Sequence, residues 1–310
     1  MKKQTVIFIL AAALAASLPT PALAAPQAAQ PAAAALSVRY EELTAPDFVR
    51  AVARSGGTCL VPLGILEKHG PHLPVGTDLI DVREVALRAA AAEFTVVFPP
   101  YFVGQIFEAR HQPGAIAYGS RMMLDVLQKT CDELARNGFK RIILVNGHGG
   151  NDAFLHFFCQ SQLETQRDYV VYLFEPAYDE ATQARLDKMR KTTVDGHAGE
   201  EETSAILFHH PGLVKLDRAG DETGEDQKRQ AGLKHAYTGI WWYAGQPNHY
   251  RGDGRAGNAE FGKALFEAET GALVEMVRSV KKDTVTAELQ KRFFEDAARP
   301  LETKPFVKIK

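Results

Sequence analysis

Residues 140–151, Lys-Arg-Ile-Ile-Leu-Val-Asn-Gly-His-Gly-Gly-Asn, decide how the chain is read. An aliphatic run stops abruptly at a glycine-rich turn that carries a histidine. A short, continuous apolar run bounded by such a turn marks a strand covered on both faces, as in parallel sheets. The pattern repeats outward from there. Met122–Arg136 reads as a helix ended by Asn137-Gly138, Asp152–Thr165 as a helix and Tyr169–Phe174 as a strand. Upstream, Asp47–Arg54 is helical, Thr58–Leu63 (TCLVPL) is a strand, and Ile80–Glu93 is an alanine-rich helix. Thr95–Phe98 is a strand halted by Pro99-Pro100, and a C-terminal helix starts at Ala259 and reaches about Arg278. Alternation of strand and helix predicts an α/β fold with a mostly parallel central sheet and helices on both faces.

Composition agrees with one folded domain. Of 310 residues, 45% are hydrophobic, and 36 Lys+Arg stand against 38 Asp+Glu. That excludes collagenous, coiled-coil and largely disordered chains. The near balance of charge gives no electrostatic reason to expect nucleic acid as a partner. Three cysteines without a CxxC exclude a disulfide framework and a cysteine zinc site, so Cys59, Cys131 and Cys159 are expected to be small buried residues. At the start, Met1-Lys2-Lys3 is basic, Val6–Leu18 is apolar, and Ala22-Leu23-Ala24 suits a small-residue cleavage site. Residues 1–24 are therefore expected to be a secretory signal peptide, sending the protein to the periplasm with no membrane span after cleavage. Residues 25–37 read as a flexible Ala/Pro-rich leader, 38–298 as the catalytic domain and 299–310 as a tail.

In open α/β sheets, ligands sit beyond the carboxyl ends of the strands, and three conspicuous segments lie at or near such places. They are Gly64-Ile-Leu-Glu-Lys-His-Gly-Pro-His-Leu-Pro74 running on to Asp78, Asn146–Asn151, and Asp195-Gly-His-Ala-Gly-Glu-Glu-Glu-Thr-Ser204. Glu67 and His69 alternate, so in extended backbone they point the same way. The prolines and glycines that follow can fold the loop back to bring Asp78 near them. Glu67, His69, Asp78 and His148 form an oxygen and nitrogen ligand set without sulfur, which suits Zn²⁺, Mn²⁺ or Fe²⁺. Two divalent cations would relieve the mutual repulsion of these carboxylates. Asp78, with two oxygens to share, is the natural bridge.

These three motifs, with His111-Gln-Pro-Gly114 and Gly252-Asp-Gly254 in support, resemble the creatininase (creatinine amidohydrolase) family of metal-dependent amide hydrolases. The resemblance implies a three-layer α/β/α domain, assembled as a homohexamer, with two metals bridged by an aspartate and a water. It places Glu67 and His148 on one metal, His69 on the other and Asp78 on both. The family enzyme that names the group has a glutamate two positions after the histidine of Asn-Gly-His; here that residue is Gly150, and Glu200 is expected to supply the fifth ligand instead. His197 would then protonate the departing amine, with Glu202 orienting it. His111 and Trp241 would contact a small-molecule amide substrate: a cyclic amide, a formamide or another small amide. No HExxH helix or GxSxG elbow is present, and Gly257–Ala264 lacks the Ser/Thr of a P-loop. The alternative is a non-catalytic periplasmic metal- or ligand-binding protein on the same fold.

Overall fold

Four parallel strands lie in the order β2-β1-β3-β4 in the computed structural model, which describes residues 36–305. The segment expected to be a signal peptide, nearly all of the leader and the last five residues lie outside the described residues. β1 is Thr58–Leu63, β2 Val96–Val97, β3 Arg141–Asn146 and β4 Val170–Phe174. β1 and β3 pair along their whole length, from Thr58 opposite Arg141 to Leu63 opposite Asn146.

Side-chain alternation along these strands makes two cores. Cys59, Val61, Leu63, Ile142 and Leu144 face α1 (Ala45–Arg54), α3 (Ser120–Arg136) and α4 (Asp152–Ser161). Leu60, Val97, Ile143 and Val145 face α2 (Thr77–Ala92) and α8 (Ala259–Lys282). Helices therefore cover both faces of the sheet, as the alternation predicts. The remaining helices are α5 (Glu180–Met189), α6 (Glu200–His209), α7 (Trp241–Gly245) and α9 (Val285–Ala297). Local signals start several of them: the side chains of Thr44, Asp179 and Asn258 accept backbone N–H groups at the first turns of α1, α5 and α8. Among the described residues no helix is long and apolar enough to cross a membrane.

Several details differ from the sequence reading. The strand before Pro99-Pro100 shrinks to Val96–Val97, α4 stops at Ser161, and α8 runs four residues further than expected, to Lys282. Cys59 and Cys131 are fully buried, but Cys159 on α4 is only half-buried; all three are free thiols. Helices α5 and α9 were not anticipated: α5 has few apolar positions to register a period, and the apolar residues of α9, Val285, Leu289 and Phe293, stay exposed.

Order β2-β1-β3-β4 creates a switch point. From β1 the chain crosses through α2 to β2 on one side, and from β3 it passes to β4 on the other, so the loops after β1 and β3 part at the middle of the sheet. Helix α6 reaches this crevice because it lies against α8 at Gly262, where a Cβ would stand 1.9 Å from the Ser204 carbonyl oxygen. Alanine at 262 would gain about 1 kcal/mol of helix propensity. Overpacking against backbone costs about 1–3 kcal/mol and, for so short an approach, falls at the upper end. Gly262→Ala is therefore expected to lower stability by about 1–2 kcal/mol, read as a lower urea midpoint; an unchanged midpoint would show that α6 moves freely.

Candidate metal centre

The loop after β1 folds back on itself. The Glu67 N–H donates to the Val75 carbonyl at 2.9 Å, and that of Leu73 to the His69 carbonyl at 3.3 Å. This returns the chain to α2 with Asp78 in its first turn, facing Glu67 and His69. From the other side of the switch point, His148 follows β3. Glu67 and His69 are 0% exposed, Asp78 3% and His148 9%.

Asp78 divides its oxygens between two groups. Oδ2 lies 3.0 Å from His148 Nδ1, which is also 2.8 Å from Glu67 Oε1. Oδ1 lies 2.8 Å from His69 Nε2, which is also 3.6 Å from Glu202 Oε2. Glu67, Asp78 and His148 thus form one potential metal-binding group and His69, Asp78 and Glu202 another, each with its ligand atoms within 4.8 Å of one another. A further group joins Glu67, His69 and His197. The opposite ring nitrogens are engaged by backbone: His148 Nε2–H donates to the Gln105 carbonyl at 3.0 Å, and His69 Nδ1–H to the Glu67 carbonyl at 3.3 Å. Metal-binding histidines are commonly fixed this way, with one N–H tied back and the other nitrogen turned inward.

Electrostatics around the cluster are set by burial and by mutual charge. Burial opposes charging of His69, yet the carboxylates of Asp78, Glu202 and Glu67 outweigh it and push the imidazole up to about 10. His148 is likewise raised well above the usual histidine value, against its burial, by Glu67 and Asp78. Burial would raise Glu67, but His148 beside it holds it well below the ordinary carboxyl range. Burial lifts Glu202 to about 8, opposed by His69 and aided by Asp78. His197 is driven down to about 3, chiefly by burial. Two buried oxygens, Glu67 Oε1 and Asp78 Oδ2, nonetheless lack a hydrogen-bond partner. Unpaired buried carboxylate oxygens are costly, and both face the histidine nitrogens described above.

The fifth ligand position differs from the expectation. Glu200 is buried but turned away: its carboxylate accepts the backbone N–H groups of Lys191 and Thr192 at 2.7–2.9 Å, closing the loop before α6. Glu202 stands in the cluster instead. Residues two apart on a helix are separated by roughly 200° around its axis, so only one of the pair can face the crevice. Nor does Glu202 hold His197 by a hydrogen bond, since His197 Nδ1 is 4.0 Å from its Oε2. The ring is oriented by Nε2–H donating to the Lys68 carbonyl at 2.8 Å.

A cavity of about 440 Å³ opens on the centre. Asp78, His148 and Glu202 form its inner wall, and Asp81, Asp152, His156, Glu175 and Glu269 line much of the rest. Neither His111 nor Trp241 lines it. His111 is exposed, with Nε2–H donating to the Pro247 carbonyl at 2.9 Å, and its ring packs on Tyr243. Trp241 is 44% exposed and lines a separate hollow with Trp242 and Arg251. The neighbouring Trp242 is the tryptophan that approaches the centre, its ring 5.9 Å from that of His197. His249, in contact with Glu67, was also missed; one histidine among loop residues carries no periodic signal.

A parallel α/β sheet with carboxylates and imidazoles gathered at its switch point defines a metal-binding class of α/β protein. The creatininase family, described as creatinine amidohydrolase, matches residues 41–277, and the chain belongs to that family. Over 199 residues it is 28% identical to the creatinine amidohydrolase of Pseudomonas putida, covering 60% of this chain and 76% of that one. Over 164 residues it is 34% identical to the mycofactocin precursor peptide peptidase of Mycolicibacterium smegmatis, covering 51% of this chain and 60% of that one. A crystal structure of creatinine amidohydrolase (creatininase) superposes with a TM-score of 0.67 at 23% identity, covering 80% of this chain and 99% of the other. This likeness shows that the fold is shared.

The titrations have a measurable consequence. His69, His148 and Glu202 bind protons more tightly folded than unfolded, so stability falls as pH rises through their folded values. Without metal, the melting temperature is expected to fall between about pH 6 and pH 10. Saturating Zn²⁺ should flatten or reverse that slope, because cation binding takes the place of the protons. Equal slopes with and without Zn²⁺ would mean that the cluster does not bind the ion.

Proposed function

We propose that the chain is a metal-dependent amidohydrolase cleaving a C–N amide bond of a cyclic amide, a formamide or another small amide with a metal-activated water. The supporting observation is the pair of unpartnered buried oxygens, Glu67 Oε1 and Asp78 Oδ2, set among imidazole nitrogens whose other N–H groups are tied to backbone. A donor set of carboxylate and imidazole fits two divalent ions, Zn, Mn or Fe. Solved relatives include a structure described as creatininase Mn and another of the Zn–Zn type. Glu67 and His148 would hold one ion, His69 and Glu202 the other, and Asp78 both. Bound there, such ions supply Lewis acidity toward a carbonyl oxygen and lower the pKa of a coordinated water.

The chain's own groups handle the protons. His197 rests uncharged with Nε2–H committed to Lys68, which leaves Nδ1 as its free basic nitrogen. It therefore accepts a proton before it can deliver one to the departing nitrogen. The carboxylate- and histidine-lined cavity favours a polar amide over an apolar one. The relatives' names include a creatinine amidohydrolase, a precursor peptide peptidase and a formylamino-pyrimidine deformylase. One family thus serves chemically different amides, and the cavity wall rather than the metal ligands would set the choice.

The test is metal-loaded protein offered a panel of lactams, formamides and small amides. His197→Ala should keep its metal while turnover falls about 10²–10⁴-fold, and Glu202→Ala should retain only one of the two ions. Normal turnover in His197→Ala would remove that residue from the mechanism. Tight metal binding with no hydrolysis across the panel would favour the non-catalytic binding protein.

Export to the periplasm and assembly as a homohexamer complete the proposal, supported respectively by the first 24 residues and by the family resemblance. Mature protein in a periplasmic fraction should begin after Ala24, and light scattering should give six times the chain mass. A cytoplasmic uncleaved chain or a monomer would overturn the corresponding part.

A further inference from the structure

Trp242 and His249 stand directly behind Glu67. His249 is 2% exposed and adopts φ +52, a left-handed conformation uncommon for a residue with a Cβ. Its segment is held from two sides. Backbone bonds join His197 and Arg251 in both directions, at 3.0 and 2.9 Å. On the other side, the Pro247 carbonyl accepts from Gln112 Nε2 at 2.8 Å as well as from His111. The imidazole is thereby delivered to a fixed place.

The indole Nε1–H of Trp242 donates to His249 Nδ1 at 2.8 Å. An indole nitrogen only donates, so Nδ1 is the accepting nitrogen and the hydrogen of the neutral ring is on Nε2. Nε2–H then donates to Glu67 Oε2. Glu67 Oε1, which has no hydrogen bond of normal geometry, faces His148 Nδ1 at 2.8 Å.

We propose that Trp242 and His249 are positioning residues, forming a one-directional hydrogen-bond chain, Trp242 to His249 to Glu67, that fixes the carboxylate's rotation and reserves Oε1 for a divalent cation. A neutral donor satisfies Oε2 without cancelling the charge of Glu67, so the ion meets a full carboxylate; an ammonium in the same place would compete with it. Hydrogen-bond partners of metal ligands typically change metal affinity by about 10–100-fold when removed. The inference rests on reading Glu67 as a cation ligand and is independent of whether the bound metal drives hydrolysis.

The first measurement uses the unsubstituted, metal-free protein. Long-range proton–nitrogen correlation spectra should show His249 as the Nε2–H tautomer, and the Nδ1–H tautomer would overturn the proposal. The second is the Zn²⁺ dissociation constant, read by chelator competition. His249→Phe should weaken binding by about 10–100-fold, and Trp242→Phe, which keeps a ring but loses the N–H, by roughly 10-fold. His249→Gln, whose amide can donate to Oε2, should recover most of the loss. Unchanged Zn²⁺ affinity in Trp242→Phe, or no recovery in His249→Gln, would overturn it. Should His249→Phe fail to fold, the tautomer and Trp242→Phe decide the matter. Absence of hydrolysis in the amide panel would leave these readouts unaffected.

Discussion

Burial of acidic oxygens at the sheet's switch point is the constraint on which the rest of the structure depends. Glu67 and Asp78 are withdrawn from water in a place where the backbone offers them few donors. Ionised carboxylates in such surroundings are tolerated only beside compensating positive charge. With no cation, that charge comes from protons on His69 and His148, whose affinity for them is raised by the same carboxylates. A divalent ion would serve the same electrostatic need at the same place. The fold's task is to keep these groups together despite their preference for solvent.

Two separate devices meet that task. Parallel pairing of β1 with β3 fixes where the two loops leave the sheet, and the closure of the first loop at Val75 returns Asp78 to Glu67. Around them, backbone carbonyls of Glu67, Lys68 and Gln105 each accept one ring N–H, of His69, His197 and His148 respectively. Carbonyls accept but cannot donate, so each chooses which nitrogen of its histidine is left free. The inner nitrogens of His69 and His148 then point at Asp78, whereas that of His197 points toward Glu202.

Much of this is legible in the sequence. The strands β1, β3 and β4 are short apolar runs ended by glycine or polar turns, and for the central β1 and β3 burial on both faces leaves little sequence freedom. Glu67, His69, Asp78 and His148 were legible because each follows a strand or opens the next helix. Glu200 was misassigned because three consecutive glutamates open α6, and only the packing of α6 on α8 decides which of them faces inward. Gly150 does not reveal its consequence either: a Cβ there would lie 2.3 Å from His148 Nε2, so in this arrangement the centre has no room for a side chain from that position. His111 is expected at the substrate from the family resemblance, and Trp241 from the aromatic run it opens. Their neighbours Gln112 and Trp242 are as informative, since all four lie around the segment that carries His249.

That segment shows how a site can recruit residues far apart in sequence without a recognisable motif. Between Trp242 and Arg251 the chain has a short helix, a left-handed histidine and a single antiparallel bridge to His197, none of which a hydrophobic period encodes. What holds it is polar and specific: a carbonyl at Pro247 that takes two side-chain donors and an indole that donates to an imidazole. Such contacts contribute little to the stability of the whole, about 1 kcal/mol each, yet they determine where one ring stands. Precision at the centre and stability of the fold thus come from different interactions, hydrogen bonds in the loops for the first and the two apolar layers on the sheet for the second. Substrate choice can therefore vary across the cavity wall while both are preserved.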